Sequence, residues 1–213
     1  MYKRQHVALA KQADLVMVAP ASANVIGKIA YGIADDMLTT TVMACPCKKM
    51  ISPAMNHNMY HNPIVQDNIQ KLERFGYEMI APDRGMLANG DDGDGRMPEP
   101  EVLFEYILRE LAFEKDLAGK KVLVTAGATM EAIDPVRYIT NHSSGKMGCA
   151  LAKAAMQRGA KVTLVAGHME VLPPMFVDVV NVKSAADMFE AVTKLAPEQD
   201  IICLLYTSDA ADD

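Results

Sequence analysis

The strongest constraint on the fold is a repeated alternation between short apolar segments and segments with helical periodicity. Alternating strands and helices predict a parallel sheet with helices on both faces, so we expect an α/β fold. The segments predicted as strands are 14–20, 39–45, 48–54, 76–82, 121–125, 160–166 and 200–205. The segments predicted as helices are 24–32, 63–75, 101–114, 144–159 and 184–195.

The alternation stops and restarts near Asp116, which predicts a domain boundary between residues 115 and 116. The chain opens on a helical pattern that runs into the first predicted strand. Its last eight residues, 206–213, have the sequence YTSDAADD and continue neither the strand nor the helix periodicity. We therefore expect a fragment made of a first domain at 1–115, part of a second domain at 116–205, and a non-native tail at 206–213.

Composition excludes several functional classes. The chain has 213 residues, half of them hydrophobic, with a net charge of −6 and no run of Lys or Arg longer than two. Nucleic-acid-binding proteins usually carry a basic face, so no nucleic-acid partner is predicted. No apolar run approaches the roughly 18 residues of a membrane span, so no membrane association is predicted either. Four Cys in a chain of this length are expected to be reduced thiols, and Cys45 and Cys47 lack further zinc ligands at compatible spacing.

Three loops of the first half are expected at the carboxyl ends of parallel strands, where such sheets bind ligands. They are residues 20–24, residues 53–60 and the Gly/Asp-rich segment 85–100. The segment PASAN, residues 20–24, turns into a helix whose free N–H groups and Ser22 hydroxyl suit a phosphate. The alternative is that Ser22 only caps the helix. In PAMNHNMY, residues 53–60, Asn56 suits a carboxylate or amide and Met55 an apolar group. The alternative is a surface turn with Met packed inward.

Two further features of the first half are candidates for a site. His6 precedes an apolar helical pattern and is interpreted either as a general base or as a structural histidine. The Gly/Asp-rich segment 85–100 is predicted to be a long mobile loop, in which Arg96 holds an anion. It does not match the calcium-binding loop of an EF-hand, because Val102 stands where a Glu is required.

The second half contains a polar cluster at a predicted helix start. Hydroxyls, free N–H groups and a lysine at such a position suit a triphosphate or an acyl phosphate. The cluster is not a P-loop, because Met147 follows the lysine. No G-x-G-x-x-G follows the strand at 121–125, so dinucleotide binding is weakly supported. The alternative is a Ser-capped helix. The cluster consists of Asn141, Ser143, Ser144, Gly145 and Lys146.

Taken in order, these motifs resemble the bifunctional coenzyme A biosynthesis flavoproteins, which join phosphopantothenoylcysteine decarboxylase to phosphopantothenate–cysteine ligase. The resemblance covers roughly residues 5 to 203. It implies a flavodoxin/Rossmann-like parallel-sheet decarboxylase domain, without its N-terminal strand and flavin loop, followed by the start of a second Rossmann-like α/β ligase domain. The motifs are QHVALAKQADLVMVAPASAN, GIADDMLTT, SPAMNHNMY, GDGRMPEP and TAGATMEAIDPVRYITNHSSGKMG.

For the first half, the resemblance implies an active site around FMN. His6 matches the family's active-site histidine. Asn56 matches the asparagine that holds the cysteine carboxylate, and Met55 lies beside it in the motif. Ser22 and Asn24 match the segment that lines FMN and its phosphate. In the family FMN oxidises the cysteine end of 4′-phosphopantothenoylcysteine to a thioaldehyde. Carbon dioxide then leaves, and the reduced flavin returns a hydride to give 4′-phosphopantetheine.

For the second half, the resemblance implies that CTP activates 4′-phosphopantothenate and that cysteine displaces CMP, with Mg²⁺ neutralising the triphosphate. Asn141 matches an asparagine that acts on the acyl-cytidylate. The expected CTP-binding residues are Gly127, Ser143, Ser144, Gly145 and Lys146. Later ligase motifs would lie beyond Leu205, so we expect no ligase activity from this chain alone. The family also implies a cytoplasmic homo-oligomer.

One position departs from the family pattern. The family has Ala-Cys-Gly where this chain has Ala88, Asn89 and Gly90, and that cysteine supplies a proton in the final reduction. An amide cannot replace an acidic thiol, so the last step is in doubt unless Asp91 substitutes. Two other readings remain: a non-catalytic regulatory relative and a nicotinamide dehydrogenase.

Overall fold

The computed structural model describes residues 5–86 and 92–205 of the chain. The chain divides into two units, Met1–Phe104 and Glu105–Asp213. The functional division predicted at residues 115 and 116 stays a prediction. Among these described residues, no helix is both long and apolar enough to cross a membrane. The predicted tail at 206–213 lies outside the described residues.

The described part of the first unit contains a parallel sheet in the order β1–β2–β3 and an antiparallel hairpin of β4 and β5. Its strands are β1 (Leu15–Ala21), β2 (Lys48–Pro53), β3 (Glu78–Met79), β4 (Asp83–Met86) and β5 (Asp92–Arg96). Its helices are α1 (Gln5–Gln12), α2 (Ala23–Ala30), α3 (Met37–Ala44), α4 (His57–Tyr60) and α5 (Pro63–Arg74). Helix α6 (Pro100–Leu111) crosses the division between the units.

The core of the first unit forms where α2 and α5 cover the sheet. Ile26 of α2 and Leu72 of α5 pack with Val18 and Ile51 of the two longest strands. Asn62 caps α5 by accepting a hydrogen bond from the Ile64 N–H at 2.9 Å, and Pro63 fills the first helical position, where no N–H is needed. These contacts fix the direction in which β1 and β2 end, and so position the loops that follow them.

The segment 39–45 was expected to be a strand, and this prediction is wrong, because Thr39 lies in helix α3. Its Thr and Val residues favour strands on propensity alone. Asp36 overrides that propensity by accepting a hydrogen bond from the Thr39 N–H at 2.8 Å in a capping box. The hydroxyls of Thr40 and Thr41 then donate to backbone carbonyls one turn earlier, which lets β-branched residues fit the helix.

The segment 85–100 was expected to be a long loop, and this prediction is wrong for its described part. Strands β4 and β5 pair antiparallel, with Gly85 opposite Gly93 and Arg84 opposite Asp94. The sequence hid this pairing because glycine and aspartate are depleted in strands. Residues 87–91, which include Asn89 and Asp91, lie outside the described residues.

The described part of the second unit is a four-stranded parallel sheet in the order β10–β9–β6–β11. Ala152 and Met156 of α7 are buried against Val122, Val124 and Leu164 of the two central strands. The strands are β6 (Lys121–Ala126), β9 (Lys161–Ala166), β10 (Asp178–Asn181) and β11 (Ile201–Cys203). A hairpin adds β7 (Met130–Ala132) and β8 (Tyr138–Thr140), and the helices are α7 (Lys146–Gln157) and α8 (Ala185–Leu195).

The parallel α/β fold class is confirmed in both units. The other predicted strands and helices are present within a few residues of their expected bounds. Five further elements of the described residues were not predicted: β7, β8, β10, the short helix α4 and a 3₁₀ helix at Ala196–Glu198. Each is only three or four residues long, which is too short for a periodic pattern to show.

Candidate functional site

The two candidate loops of the first unit lie side by side. Strand β1 ends at Ala21, and its parallel neighbour β2 ends at Pro53. The N–H of Ala54 donates to the carbonyl oxygen of Ala21 at 2.9 Å, so the loops leave the sheet joined by a backbone hydrogen bond. The expectation that both loops lie at the carboxyl edge of the sheet is met by this geometry.

Ser22 occupies the cap position of α2. Its hydroxyl oxygen accepts a hydrogen bond from the Val25 N–H at 3.4 Å, so the capping interpretation describes this residue. Ser22 and Asn24 remain exposed on the surface of the unit. The first N–H groups of a helix have no acceptor within it, so Ala23 and Asn24 present backbone donors beside that hydroxyl. Capping and phosphate binding are therefore compatible here.

Asn56 caps the short helix α4. Its Oδ1 accepts a hydrogen bond from the Asn58 N–H at 2.9 Å, which leaves the side-chain NH₂ group as the donor. An NH₂ donor on a half-buried side chain suits a carboxylate oxygen. The neighbouring Met55 packs against the apolar core of the unit, as the inward-packing alternative expects, whereas Met59 is 48% exposed.

The β4–β5 hairpin lies directly on this loop. The Met55 N–H donates to the carbonyl oxygen of Gly95 at 3.0 Å. A Cβ at Gly95 would lie 2.1 Å from the carbonyl oxygen of Met55, and the backbone there has φ +139°. Only glycine permits this approach. The hairpin therefore borders the Asn56 loop through a backbone contact that depends on Gly95.

Arg96 and His6 are less tightly connected to the loop. The Arg96 guanidinium pairs with the Glu99 carboxylate, and both side chains are exposed. His6 is half-buried on α1, which packs against α3. The Asn56 side-chain oxygen bonds to the Asn58 N–H rather than to His6. Asn89, the position of the missing family cysteine, lies outside the described residues.

Tyr60 is a polar group beside this loop that the sequence analysis did not single out. It ends helix α4 and packs against the apolar core of the first unit. Burial raises the pKa of Tyr60 above its ordinary value of 10.0, so the phenol is neutral at physiological pH. A neutral phenol can donate a hydrogen bond or a proton there, but it is not a base.

In the second unit, the predicted polar cluster does lie at the start of α7. Gly145 occupies the cap position with φ +77°, and no side chain caps the helix. The alternative of a Ser-capped helix is therefore wrong. The Asn141 Oδ1 accepts a hydrogen bond from the Ser143 N–H at 2.9 Å, which folds the segment before the helix. The first N–H groups of α7 are left without a side-chain acceptor.

Gly127 and Gly145 belong to one tightly packed edge. A Cβ at Gly127 would lie 2.4 Å from the carbonyl oxygen of His168, and one at Gly145 would lie 2.7 Å from the Met169 Cγ. Ala128 and His168 exchange backbone hydrogen bonds of 2.9 and 2.7 Å. The structure thus brings Gly127 and the start of α7 together at the carboxyl edge of the second sheet.

Comparison with protein families matches both units. Residues 2–112 match the model of the family described as "Flavoprotein". The chain belongs to the flavoprotein family. Residues 117–210 of this flavoprotein match a second model, described as "DNA/pantothenate metabolism flavoprotein C-terminal domain".

Known relatives of this flavoprotein match nearly the whole chain. The coenzyme A biosynthesis bifunctional protein CoaBC of Vibrio vulnificus (strain YJ016) is 52% identical over 92% of this chain and 49% of its own length. The CoaBC protein of Bacillus subtilis (strain 168) is 49% identical over 97% of this chain and 51% of its own length. The chain therefore spans about half the length of the curated relatives it matches.

Solved structures also match part of the chain. A mutant of PPC decarboxylase, complexed with pantothenoylaminoethenethiol, is 36% identical over 48% of this flavoprotein and 57% of that chain, with a TM-score of 0.47.

Proposed function

We propose that the first unit is an FMN-dependent decarboxylase of 4′-phosphopantothenoylcysteine in coenzyme A biosynthesis. The observation that carries the proposal is the junction of the two loops at the carboxyl edge of the sheet, through Ala54 and Ala21. The donors at the start of α2 and the Asn56 side chain, which we propose binds a carboxylate, belong to the two loops that this bond joins. Membership of the flavoprotein family and the identity to CoaBC proteins support the same assignment.

The donor set at the start of α2 fits the phosphate of FMN. Ser22 contributes a hydroxyl, and the first turn contributes backbone N–H groups to phosphate oxygens. Asn24 is exposed beside them. When bound, FMN supplies the two-electron redox chemistry that removal of the substrate carboxylate needs.

The chain's own residues bind and orient the substrate. The Asn56 NH₂ group holds the cysteine carboxylate, Met55 forms an apolar wall, and the hairpin borders this loop at Gly95. His6 is proposed as the active-site histidine that exchanges a proton at the cysteine end of the substrate. Arg96 is proposed to meet an anionic group of the substrate by exchanging its Glu99 partner.

The second unit is proposed to be the N-terminal part of a CTP-dependent phosphopantothenate–cysteine ligase, with the functional boundary at 115 and 116. The uncapped start of α7 and Lys146 suit the CTP phosphates, with Gly127, Ser143 and Ser144 beside them. Asn141 is proposed to act on the activated carboxylate. Residues 141–146 contain no carboxylate, so their donors fit phosphate oxygens, and Mg²⁺ would enter with the nucleotide.

Two general properties complete the proposal. A coenzyme A biosynthesis enzyme with these small-molecule substrates is placed in the cytoplasm. Homo-oligomerisation is proposed from the family resemblance, in which the flavin lies at a subunit contact. Size measurement with and without FMN tests the second property, and a monomer in both states would refute it.

The test of the decarboxylase proposal is mass spectrometry of the product formed from 4′-phosphopantothenoylcysteine. It uses the longest reading frame that contains this chain, loaded with FMN. Loss of carbon dioxide is expected, and Asn56→Ala should slow it at least tenfold by removing the carboxylate ligand. Asn58→Ala is the matched control, because Asn58 contributes its backbone N–H, which alanine retains. A substrate that returns unchanged from the FMN-loaded protein would overturn the proposal.

The same experiment decides the role of position 89. If the reduced thiol product forms, another group delivers the final proton. If the ene-thiol accumulates and Asn89→Cys converts it to the reduced product, the asparagine is the cause of the arrest. An unchanged product ratio in Asn89→Cys would refute the assigned role of this position.

A further inference from the structure

Three metal-ligating side chains that the proposed reaction does not use meet on the first unit. They are His57 of α4, His61 immediately after it, and Asp94 of β5. One ligand atom from each lies within 4.8 Å of the other two. The sequence analysis could not find this cluster, because Asp94 is 33 residues from His61 and the pairing of the hairpin brings it there.

The geometry is close to that of a coordination shell. His61 Nε2 lies 3.0 Å from Asp94 Oδ2, and the imidazole rings of His57 and His61 have centroids 4.4 Å apart with a 59° tilt. Two ligands about 2.1 Å from one zinc ion at a tetrahedral angle lie roughly 3.4 Å apart. The His61–Asp94 pair already has nearly that separation, and a ligand atom of His57 lies within 4.8 Å of both.

The position of the cluster allows an ion to enter. His57 and Asp94 are half-buried and His61 is exposed, so none of the three is sealed in the core. His57 and His61 are four residues apart, a spacing that puts both rings on one side of a helical turn. Helix α4 ends at Tyr60, and the His61 N–H still donates to the His57 carbonyl at 3.0 Å, so this turn is formed.

We propose that His57, His61 and Asp94 bind a divalent transition-metal ion, with Zn²⁺ as its simplest representative. Two imidazoles and one carboxylate are a donor set of first-row divalent metals and leave coordination positions open to water. Mg²⁺ and Ca²⁺ prefer all-oxygen ligands and are excluded by the two nitrogen donors. The ion would join the α4 loop, which carries Asn56, to the hairpin.

Binding requires one local rearrangement. The backbone N–H of Asp94 donates to His57 Nδ1 at 3.2 Å, so that lone pair is already in use. Coordination by His57 replaces this hydrogen bond by a metal bond, either at the same nitrogen or after a turn of the ring. The ring also lies against Gly93, where a Cβ would be 2.9 Å from it. We therefore expect weaker binding than at a site whose ligands are already in place.

The test is calorimetric titration of the full chain with ZnCl₂, in the absence of substrate and nucleotide. One Zn²⁺ per chain should bind, with no signal from MgCl₂. His61→Gln and Asp94→Asn should each weaken binding at least tenfold, because each removes one of three ligands. Both replacements keep the side-chain size and a hydrogen-bonding group, so the fold is retained. His142→Gln, an exposed histidine of the second unit, is the matched control and should bind as the parent chain does.

Thiols are the main competing ligands, and cobalt separates them from the proposed site. Co²⁺ bound by Cys45 and Cys47 would show a thiolate charge-transfer band, whereas Co²⁺ at the histidine–aspartate cluster would not. We expect no such band, and Cys47→Ser should leave the affinity unchanged. The proposal is overturned if ZnCl₂ gives no stoichiometric binding, if the band dominates, or if His61→Gln and Asp94→Asn bind zinc like the parent.

Discussion

Helix α2 of the first unit and helix α7 of the second begin in different ways. In the first unit, Ser22 caps α2 through its own hydroxyl. In the second, Gly145 stands at the start of α7, no side chain caps the helix, and glycines pack closely against the neighbouring 168–169 segment. The start of α2 is thus shaped by a side chain that alanine can replace, although the neighbouring Gly95 of the same unit tolerates no added Cβ. The start of α7 is shaped by backbone that tolerates no added Cβ, so substitution should act locally in one unit and globally in the other.

The largest effect is expected from Gly127→Ala. The added Cβ would lie 2.4 Å from the His168 carbonyl oxygen, at a residue with φ +81°. Backbone strain and overpacking together should lower the free energy of unfolding by about 3 kcal/mol or more. Denaturant unfolding measures this. Gly119→Ala is the control, since Gly119 has φ +78° with nothing within 4 Å of the added Cβ and should lose only about 1 kcal/mol. Equal losses would show that packing at this edge is not tight.

Gly95→Ala tests the same close approach in the first unit. The Cβ would lie 2.1 Å from the Met55 carbonyl oxygen, so the hairpin must move away and the Met55 N–H must lose its acceptor. Because the hairpin lies outside the main sheet, we expect local opening, seen as at least tenfold faster hydrogen exchange at the Met55 amide. Gly76→Ala, with φ +84° and open space, should leave that exchange rate unchanged. A global loss as large as that of Gly127→Ala would erase the contrast between the units.

The third prediction concerns the capped and uncapped helices. Ser22→Ala removes the hydroxyl that accepts the Val25 N–H and should lower the free energy of unfolding by about 1 kcal/mol. Ser144→Ala, just before α7, should change it by less than about 0.5 kcal/mol, because no side chain caps that helix. Thermal unfolding of the two variants in parallel measures the difference. A similar loss in Ser144→Ala would mean that serine caps α7 in solution.

The sequence predicted the long elements well because their cores are periodic. Apolar residues of β6, β9 and α7 are buried as the alternating pattern requires. It failed at Thr39, where β-branched residues suggested a strand although Asp36 three residues earlier is a helix-start signal. It failed again at β4 and β5, where glycine and aspartate pair in a hairpin against all propensity.

The sequence identified residues of the candidate site but did not show which of them contact one another. Motifs named Ser22, Asn56 and Gly145, because each has a chemical type that suits its loop. The bond from the Ala54 N–H to Ala21 and the approach of Gly95 to Met55 join segments far apart in sequence. These contacts depend on the parallel register of β1 with β2 and on the packing of the β4–β5 hairpin against the Met55 segment. The chemical groups of each loop can therefore be read from its own sequence. The shape of the site depends on contacts between segments that are far apart in the chain.

The smallest effect is expected from pH, and it should appear in both units alike. Each has a capping box with an aspartate, Asp36 at the start of α3 and Asp187 in the first turn of α8. Hydrogen bonds from the backbone N–H of Thr39 lower the pKa of Asp36, and those from Ser184 lower the pKa of Asp187, below the ordinary value of 3.8. A lowered pKa means that the folded state favours the carboxylate. This stabilisation is fully present above the ordinary value and is lost as the pH falls through the lowered one.

Carboxyl chemical shifts followed from pH 6 downwards measure these two values directly, and both should titrate below 3.8. Asp36→Asn is the sharper variant, because asparagine caps a helix about as well as aspartate but does not titrate. The free energy of unfolding of this variant should equal that of the parent at neutral pH. It should fall less than that of the parent as the pH is lowered, because residue 36 no longer takes up a proton. If Asp36 titrates at or above its ordinary value, the Thr39 N–H does not bond to it in solution. The capping box would then not be what makes a helix of this β-branched segment.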